Sequence, residues 1–381
     1  MAERVRNSRP MREYFHVPEN YFLSHSVGCL PKASSAALTA GFLGPWMSGT
    51  NWDLWMNELE TFRTGMAEIL NVQKASVCPQ VNVSSALTKI LFSLPKPEAR
   101  DVILLSKQDF PTIGFVAKQA ERLGYRLKFV EGNPADFRHW NEAIDARVAF
   151  VLITHALSNS SHLLPVGEIC SAAMRVGALS IVDVAQSLGA VPVNLRHWDP
   201  DFVIGTGVKF LCFGPGACFL YVAEHMMSKC QPFDVGWFSH ENPFEMDIDN
   251  FRYARDAMRF FGGTPSPAPY FLANSALKYW KDIGLGAAHI QIQSYLTRLH
   301  ECLPEGAAVS PDKADARGAT LVVKNNYADK IREHLIEADI RFDQRRDGFR
   351  FSVHGYTQES EVDQLGDILS LIETICSNKC D

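Results

Sequence analysis

The sequence contains no run of about 18 apolar residues, and its opening stretch MAERVRNSRPMREYF is charged and lacks an apolar signal core. A secreted or membrane-inserted chain is therefore not expected, and the location expected is cytoplasmic. Nine cysteines are scattered without CxxC or comparable ligand spacing, and the number is odd. This argues against a disulfide framework and a zinc site and for reduced, mostly buried thiols. Long runs of one charge sign are absent and the net charge is only −6, so neither a nucleic-acid nor a polyanion surface is expected, and a small molecule is the default partner. No GxxxxGK[ST] occurs, and GTGVKF carries glycines at 205 and 207 but none at 210, so a nucleotide enzyme is only a weak rival. Internal repeats and low-complexity segments are also missing.

What is present is a chain of 381 residues, 46% hydrophobic and 21% charged, enough for a large core and two packed domains. Short apolar runs, DVILLS, RLKFVE, RVAFVLIT, LSIVDV, DFVIG and ACFLYV, alternate with helical patterns such as TIGFVAKQAERLG and VGEICSAAMRVG, each ending on a glycine. This pattern predicts an α/β domain with a mostly parallel sheet covered by helices. After the break GGTPSPAPY come longer helices over 268–283 and about 286–302. Strands ATLVV and FRFSV follow, with a helix YADKIREHLIEA between them and ESEVDQLGDILSLIETIC at the end, which reads as a smaller α+β domain. The expected division is an N-terminal arm over 1–20, a large domain over 21–262 and a small domain over 263–381.

Ligands of open α/β sheets sit beyond the carboxyl ends of strands, so polar residues just after strands are the first candidates. Asp183 ends one apolar run and needs a cationic partner to stay ionised there, although it also reads as a helix cap. His155, Ser158 and Asn159 follow another run and offer hydrogen bonds at the same edge. PQVNVSSALTKILF turns into a helix near 83–86, so free amides with the Ser84 and Ser85 hydroxyls fit an anion, unless they are an ordinary serine cap. Lys209, between Val208 and Phe210, is an ammonium among apolar residues and needs a partner or a task. A lysine for a Schiff base, a carboxylate for a pyridinium nitrogen and a phosphate cradle are what pyridoxal 5′-phosphate requires.

Six blocks in order carry a family resemblance: FLSHSVGCLPK, DFPT, GVKFLCFGPGA, GWFSHENPF, RFFGGTPSP and FRFSVHGYTQESEVD. The chain resembles the fold-type I pyridoxal-phosphate enzymes of the class V aminotransferase superfamily, and among them the kynureninases. The resemblance implies that Lys209 forms the Schiff base, Asp183 pairs with the pyridinium nitrogen and Phe110 stacks on the pyridine ring. It implies that Val83, Ser84 and Thr206 hold the phosphate, that Asn159 lies near the phenolic oxygen, and that Gln186 and Trp237 belong to the cofactor site. Thr264 is implied to reach the neighbouring subunit's cofactor, with Trp237 near the same interface, which makes the expected assembly a homodimer. Arg350 is implied to take the α-carboxylate of an amino-acid substrate, with His25 and Ser26 in the substrate pocket.

Three departures bear on the reaction. Val208 stands where kynureninases have a tyrosine, Ile113 where they have an acid, and Gln186 where they usually have a histidine. Hydrolysis of a β-ketone needs an activated water and proton shuttling, so these losses argue against kynureninase activity itself. A cysteine desulfurase needs a nucleophilic cysteine shortly before its carboxylate-binding arginine, and no cysteine lies between Cys302 and Cys376. The expected function is a kynureninase-like lyase, by Cβ side-chain cleavage or elimination. An aminotransferase or epimerase is the alternative, and a non-catalytic cofactor-binding homologue a further one.

Overall fold

The computed structural model describes residues 10–49 and 52–377. Near the N-terminus β1 (Phe15–His16) pairs with β2 (Leu30–Pro31). The large sheet contains β3 (Val77–Gln80), β4 (Val102–Ser106), β5 (Arg126–Val130), β6 (Val148–Thr154), β7 (Leu179–Asp183), β8 (Phe202–Thr206) and β9 (Cys218–Val222). Its order is β3-β9-β8-β7-β6-β4-β5, with β4 to β8 parallel and β9 antiparallel to both of its neighbours. All seven residues of β6 are buried. Val151 and Ile153 enter the core on one face, and Phe150 and Leu152 the core on the other, as expected of a strand covered on both sides. The six strands read from the sequence are all present, and the sheet is the mixed, mostly parallel one expected.

Helices cover this sheet and end where glycine permits. The helix Val166–Val176 stops at Gly177 (φ 72°), and the helix Pro111–Gln119 runs through a short 3-10 turn to Gly124 (φ 84°), both in the left-handed region that suits a residue without Cβ. The first helix to face the site, Val83–Leu91, is capped by Asn82, whose side chain accepts from Ser85 N.

A second sheet, β10 (Thr320–Val323), β11 (Asp343–Gln344) and β12 (Phe349–Ser352), is antiparallel in the order β10-β12-β11. Its core joins Leu321, Phe349 and Phe351 to Leu296 and Leu369 of the helices Leu285–Glu301 and Glu359–Ser377. The expected helix over YADKIREHLIEA divides into Asn325–Ala328 and Arg332–Glu337. The helix Ala268–Ile283, placed by the sequence reading in the small domain, puts Tyr270, Ala273, Leu277 and Trp280 into the core beside the large sheet. Phe22 packs in the core of the small sheet, and its carbonyl accepts from Ser352 N at 2.8 Å, so the segment after the N-terminal arm ties into the second domain.

Candidate active site

The carboxyl ends of β6, β7 and β8 bring Thr154, Asp183 and Thr206 to one edge of the large sheet. Thr154 is in register with Asp183, and Thr206 with Cys218. A cavity of about 240 Å³ opens there, lined by Asn82, Val83, Ser84, Phe110, Thr112, Ile113, Thr154, Ala156, Ser158, Asp183, Ala185, Gln186, Thr206, Lys209 and Cys218. Residues from six separate stretches of the sequence thus converge.

Lys209 reaches this cavity because its loop is anchored in two cores. Phe210 packs with the small-sheet residues, whereas Leu211, Cys212 and Phe213 pack with the large-sheet layer. Trp280 Nε1 donates to Leu211 O at 2.9 Å, and Gly28 N donates to Val208 O at 2.7 Å. The apolar neighbours of the lysine are therefore its fixings. Lys209 Nζ lies 5.6 Å from the centroid of the Phe110 ring. Burial pulls its pKa down to about 8 despite the opposing pull of Asp183, and Arg350 and Arg345 push the same way as burial. Asp183 Oδ1 accepts from Ala185 N at 2.8 Å, so the carboxylate both caps the turn after β7 and faces the cavity. Burial raises its pKa, against that hydrogen bond and the charge of Lys209.

The start of the helix Val83–Leu91 forms one wall. Val83 and Ser84 line the cavity, while Ser85 N is taken by Asn82 Oδ1 at 2.8 Å and Ser84 Oγ donates to the same oxygen at 2.7 Å. The cap is thus Asn82 rather than a serine. His155 departs from expectation in a different way. Side chains alternate along a strand, so with Thr154 and Ala156 facing the cavity His155 points to the opposite face. There it packs edge-on against Trp198 at 4.6 Å and borders another cavity. Burial drops its pKa to about 3, which leaves it neutral.

Beside the cavity, though not in its wall, stand residues of the small sheet and of the segment around His25. Arg350 on β12 is 1% exposed, its Nε donates to Asp343 Oδ1 at 2.7 Å, its Nη2 bonds Asp343 Oδ2, and its Nη1 donates to Ser158 O at 2.8 Å. His25 Nε2 stands 3.1 Å from Asp343 Oδ1 and its Nδ1 is 2.9 Å from Ser352 Oγ, while His25 O accepts from Gln186 Nε2 at 3.2 Å. His25 is buried, which brings its pKa to about 4, so it is neutral at pH 7. Ser26 is exposed in the adjoining turn, with its N–H bonded to Leu23 O. Asn159 does not line the cavity wall itself. Its Oδ1 accepts from Arg345 Nη1 at 3.4 Å. Trp237 and Thr264 meet each other instead, Nε1 to Oγ1 at 3.2 Å, and Thr264 is exposed outside this cavity.

Cys218, Asp343 and Arg345 are among the residues the sequence reading passed over, with Asn82, Thr112 and Thr154 of the cavity wall. Cys218 lies in a strand of uniform apolar pattern that gives no sign of which side chain faces a ligand. Its thiol is pushed up to about 11 by burial. Asp343 and Arg345 stand in RFDQRRDGFRF, where clustered charge reads as a solvated turn.

The chain matches the aminotransferase class-V family over residues 54–365. It belongs to that family. Among curated class-V relatives it is 30% identical over 347 residues to the kynureninase of Deinococcus radiodurans, covering 86% of this chain and 84% of that one. It is 22% identical over 361 residues to the uncharacterized aminotransferase YcbU of Bacillus subtilis, covering 91% and 96%. Among solved structures the cystine C–S lyase C-DES superposes with a TM-score of 0.82 at 22% identity, covering 93% and 98%. The cysteine desulfurase CsdA of Escherichia coli gives 0.82 at 17%, covering 97% and 99%. These are likenesses of fold. Class-V proteins are pyridoxal-phosphate-dependent enzymes, so the cofactor expected from the sequence is the family's own.

The residues present fit that group. A buried amine of lowered pKa, a buried carboxyl without an arginine partner, an aromatic face and a helix N-terminus with neighbouring hydroxyls share one cavity.

Proposed function

We propose that the protein is a pyridoxal-phosphate enzyme that cleaves a bond at the β-carbon of an α-amino acid by elimination. The observation that carries this reading is the convergence of Lys209, Asp183 and Phe110 in one cavity at the carboxyl edge of the sheet. When bound, the cofactor supplies an electron sink for a carbanion at the substrate α-carbon. Lys209 would hold it covalently, Asp183 would take its ring nitrogen, Phe110 would stack on its ring, and Val83, Ser84 and Thr206 would hold its phosphate, with Asn159 and Gln186 alongside. With a pKa lowered by burial to about 8, Lys209 Nζ, once the substrate amine has taken its place, is suited to accept the proton from the α-carbon as the bond to the β-group breaks, and to pass that proton to the departing group. Elimination needs no activated water. That suits a site in which Ile113 is buried, Gln186 is tied to His25 O, and Val208 has no side-chain group that could carry a proton. The substrate carboxylate goes to the arginine end, where Arg350 and Arg345 stand beside His25 and Ser26.

Two further features support a homodimer. Thr264, with Trp237, is turned away from its own protomer's cavity, and Trp46, Met47, Met246 and Ile248 are exposed apolar side chains. Sedimentation should give twice the chain mass; a monomer that binds cofactor normally would contradict it. The reaction is tested by incubating the holoenzyme with a panel of amino acids carrying β-leaving groups and analysing products by mass spectrometry. Elimination releases the protonated β-group and an enamine, which tautomerises to an imine and is hydrolysed by solvent water to a 2-oxo acid and ammonia, with the cofactor returned to its original form. Conversion of the bound cofactor to pyridoxamine phosphate instead identifies transamination and overturns the elimination reading.

A further inference from the structure

A second cavity lies at the opposite edge of the large sheet, beneath the amino ends of β5, β6 and β7. It measures about 310 Å³, and Leu94, Ala149, Phe150, Leu179 and Met226 make its wall largely apolar. Tyr125, just before β5, also lines it and is 2% exposed, yet its hydroxyl has no hydrogen-bond partner. Buried hydroxyls are nearly always paired, so this one marks the place of a missing acceptor. Burial raises its pKa to about 12, which keeps the proton on the oxygen and leaves it a donor. The polar part of the wall is otherwise cationic, formed by Arg100 and Lys229, and no carboxylate lines the cavity. Arg100 Nη1 donates to Gly177 O at 2.5 Å and its Nη2 to Val176 O at 2.6 Å, so neutral carbonyls fix the guanidinium without cancelling its charge. A Cβ at Gly177 would lie 2.5 Å from Arg100 Nη2, so the fork sits there because that residue has none. Asp101, the acid next in sequence, is taken by Arg126 at 2.7 Å and Arg147 at 2.8 Å. Among the described residues neither Arg100 nor the exposed Lys229 has an ion-pair partner.

We propose that this cavity binds a small monocarboxylate with an apolar tail, the tail lying against Phe150, Leu179 and Met226 and the carboxylate meeting the Tyr125 hydroxyl and Arg100. The chemistry of the wall selects that class. Two unpaired cations exclude an amine, and a neutral apolar molecule would leave both cations unanswered and the hydroxyl unpaired. A polyanion would have to press further charge against an apolar wall. Three of the five N–H groups of Arg100 remain free, enough for a charge-assisted contact that breaks no existing ion pair. A volume near 300 Å³ is at the small end of ligand cavities, which limits the tail to a short chain or a single ring. The site is independent of the reaction at Lys209, since the two cavities stand at opposite ends of the strands and share no lining residue.

The test titrates octanoate, and n-octanol as its uncharged counterpart, into pyridoxal-phosphate-loaded protein and reads the heat of binding. Wild-type protein should take up a single octanoate per chain, about tenfold or more tightly than octanol, the scale of a hydrogen bond to a charged group. Tyr125→Phe should weaken octanoate about tenfold, and Arg100→Gln should remove the preference for octanoate over octanol. The melting temperature of ligand-free Tyr125→Phe protein should equal or exceed that of wild type, because the change deletes an unpaired buried hydroxyl. That variant and the octanol comparison decide the proposal should Arg100→Gln not fold. No saturable uptake of octanoate, which would mean that the cavity holds water only, overturns it. So does equal affinity for octanol, wild-type affinity for octanoate in either variant, or a lowered melting temperature of ligand-free Tyr125→Phe, which would show that the hydroxyl already has a partner.

Discussion

Asp109 precedes the ring-bearing Phe110 and illustrates how a single carboxyl in this site couples to pH. Its Oδ2 accepts from Ser106 N at 2.9 Å, while its Oδ1 is buried without a hydrogen-bond partner. Burial pushes its pKa up to about 7, with nearby Asp183 adding to the rise against hydrogen bonds from Thr154 and Ser106. An unfolded aspartate titrates near 4. The folded state therefore binds the proton more tightly, and the stability this gives is complete below about pH 4 and lost as pH rises through about 7. Asp109→Asn keeps the acceptor for Ser106 N and removes the titration. The variant should gain stability relative to wild type between pH 5 and pH 7.5, read from urea midpoints at the two values. Equal differences at both pH values would show that Asp109 does not titrate in this range. The individual residues most legible in the sequence were those whose chemistry conflicts with their surroundings, Lys209 and Asp183 above all. Arg345 was not legible, because an arginine in a charged turn conflicts with nothing until the fold sets it over Phe110.

At the level of elements, the parallel strands were readable because both of their faces are buried, which leaves unbroken apolar runs such as RVAFVLIT. Strand β3, VCPQ, was not readable. It is four residues long, contains a proline, and exists by pairing with β9, more than a hundred residues away. His155 failed for a related reason: position at the end of a strand is visible in the sequence, but which face the side chain takes depends on register. The loop holding Lys209 depends on another long-range contact. A Cβ at Gly28 would lie 2.0 Å from Lys209 O and 2.7 Å from Cys212 Sγ. Gly28→Ala should therefore push the N-terminal segment off the lysine loop, costing about 1–3 kcal/mol as an overpacked contact does. A lowered melting temperature together with weakened cofactor retention is the expected result. Unchanged values for both would mean that the segment shifts freely.

On the scale of the whole molecule, the site is a product of two sheets meeting. The large sheet and the loop after β8 deliver Thr154, Asp183, Thr206 and Lys209 to the cavity, and the small sheet sets Arg350 against Ser158 and Arg345 over Phe110 of the cavity wall. The lysine loop is clamped between the two cores, with Phe210 in one and Leu211 in the other. The sequence showed the first half of this arrangement as alternating strands and helices. It did not show that the helix Ala268–Ile283 belongs beside the large sheet, since a Pro/Gly-rich break marks a turn equally well inside a domain as between two. The account as a whole rests on Lys209 being the residue that carries the cofactor. Its most direct test is to reduce the holoprotein with borohydride, digest it, and locate the cofactor by mass spectrometry. The expected result is one modified peptide, with the added mass on Lys209 and no modification in Lys209→Ala protein. Attachment at another lysine, or a Lys209→Ala protein that is reduced and labelled like the wild type, would contradict the account.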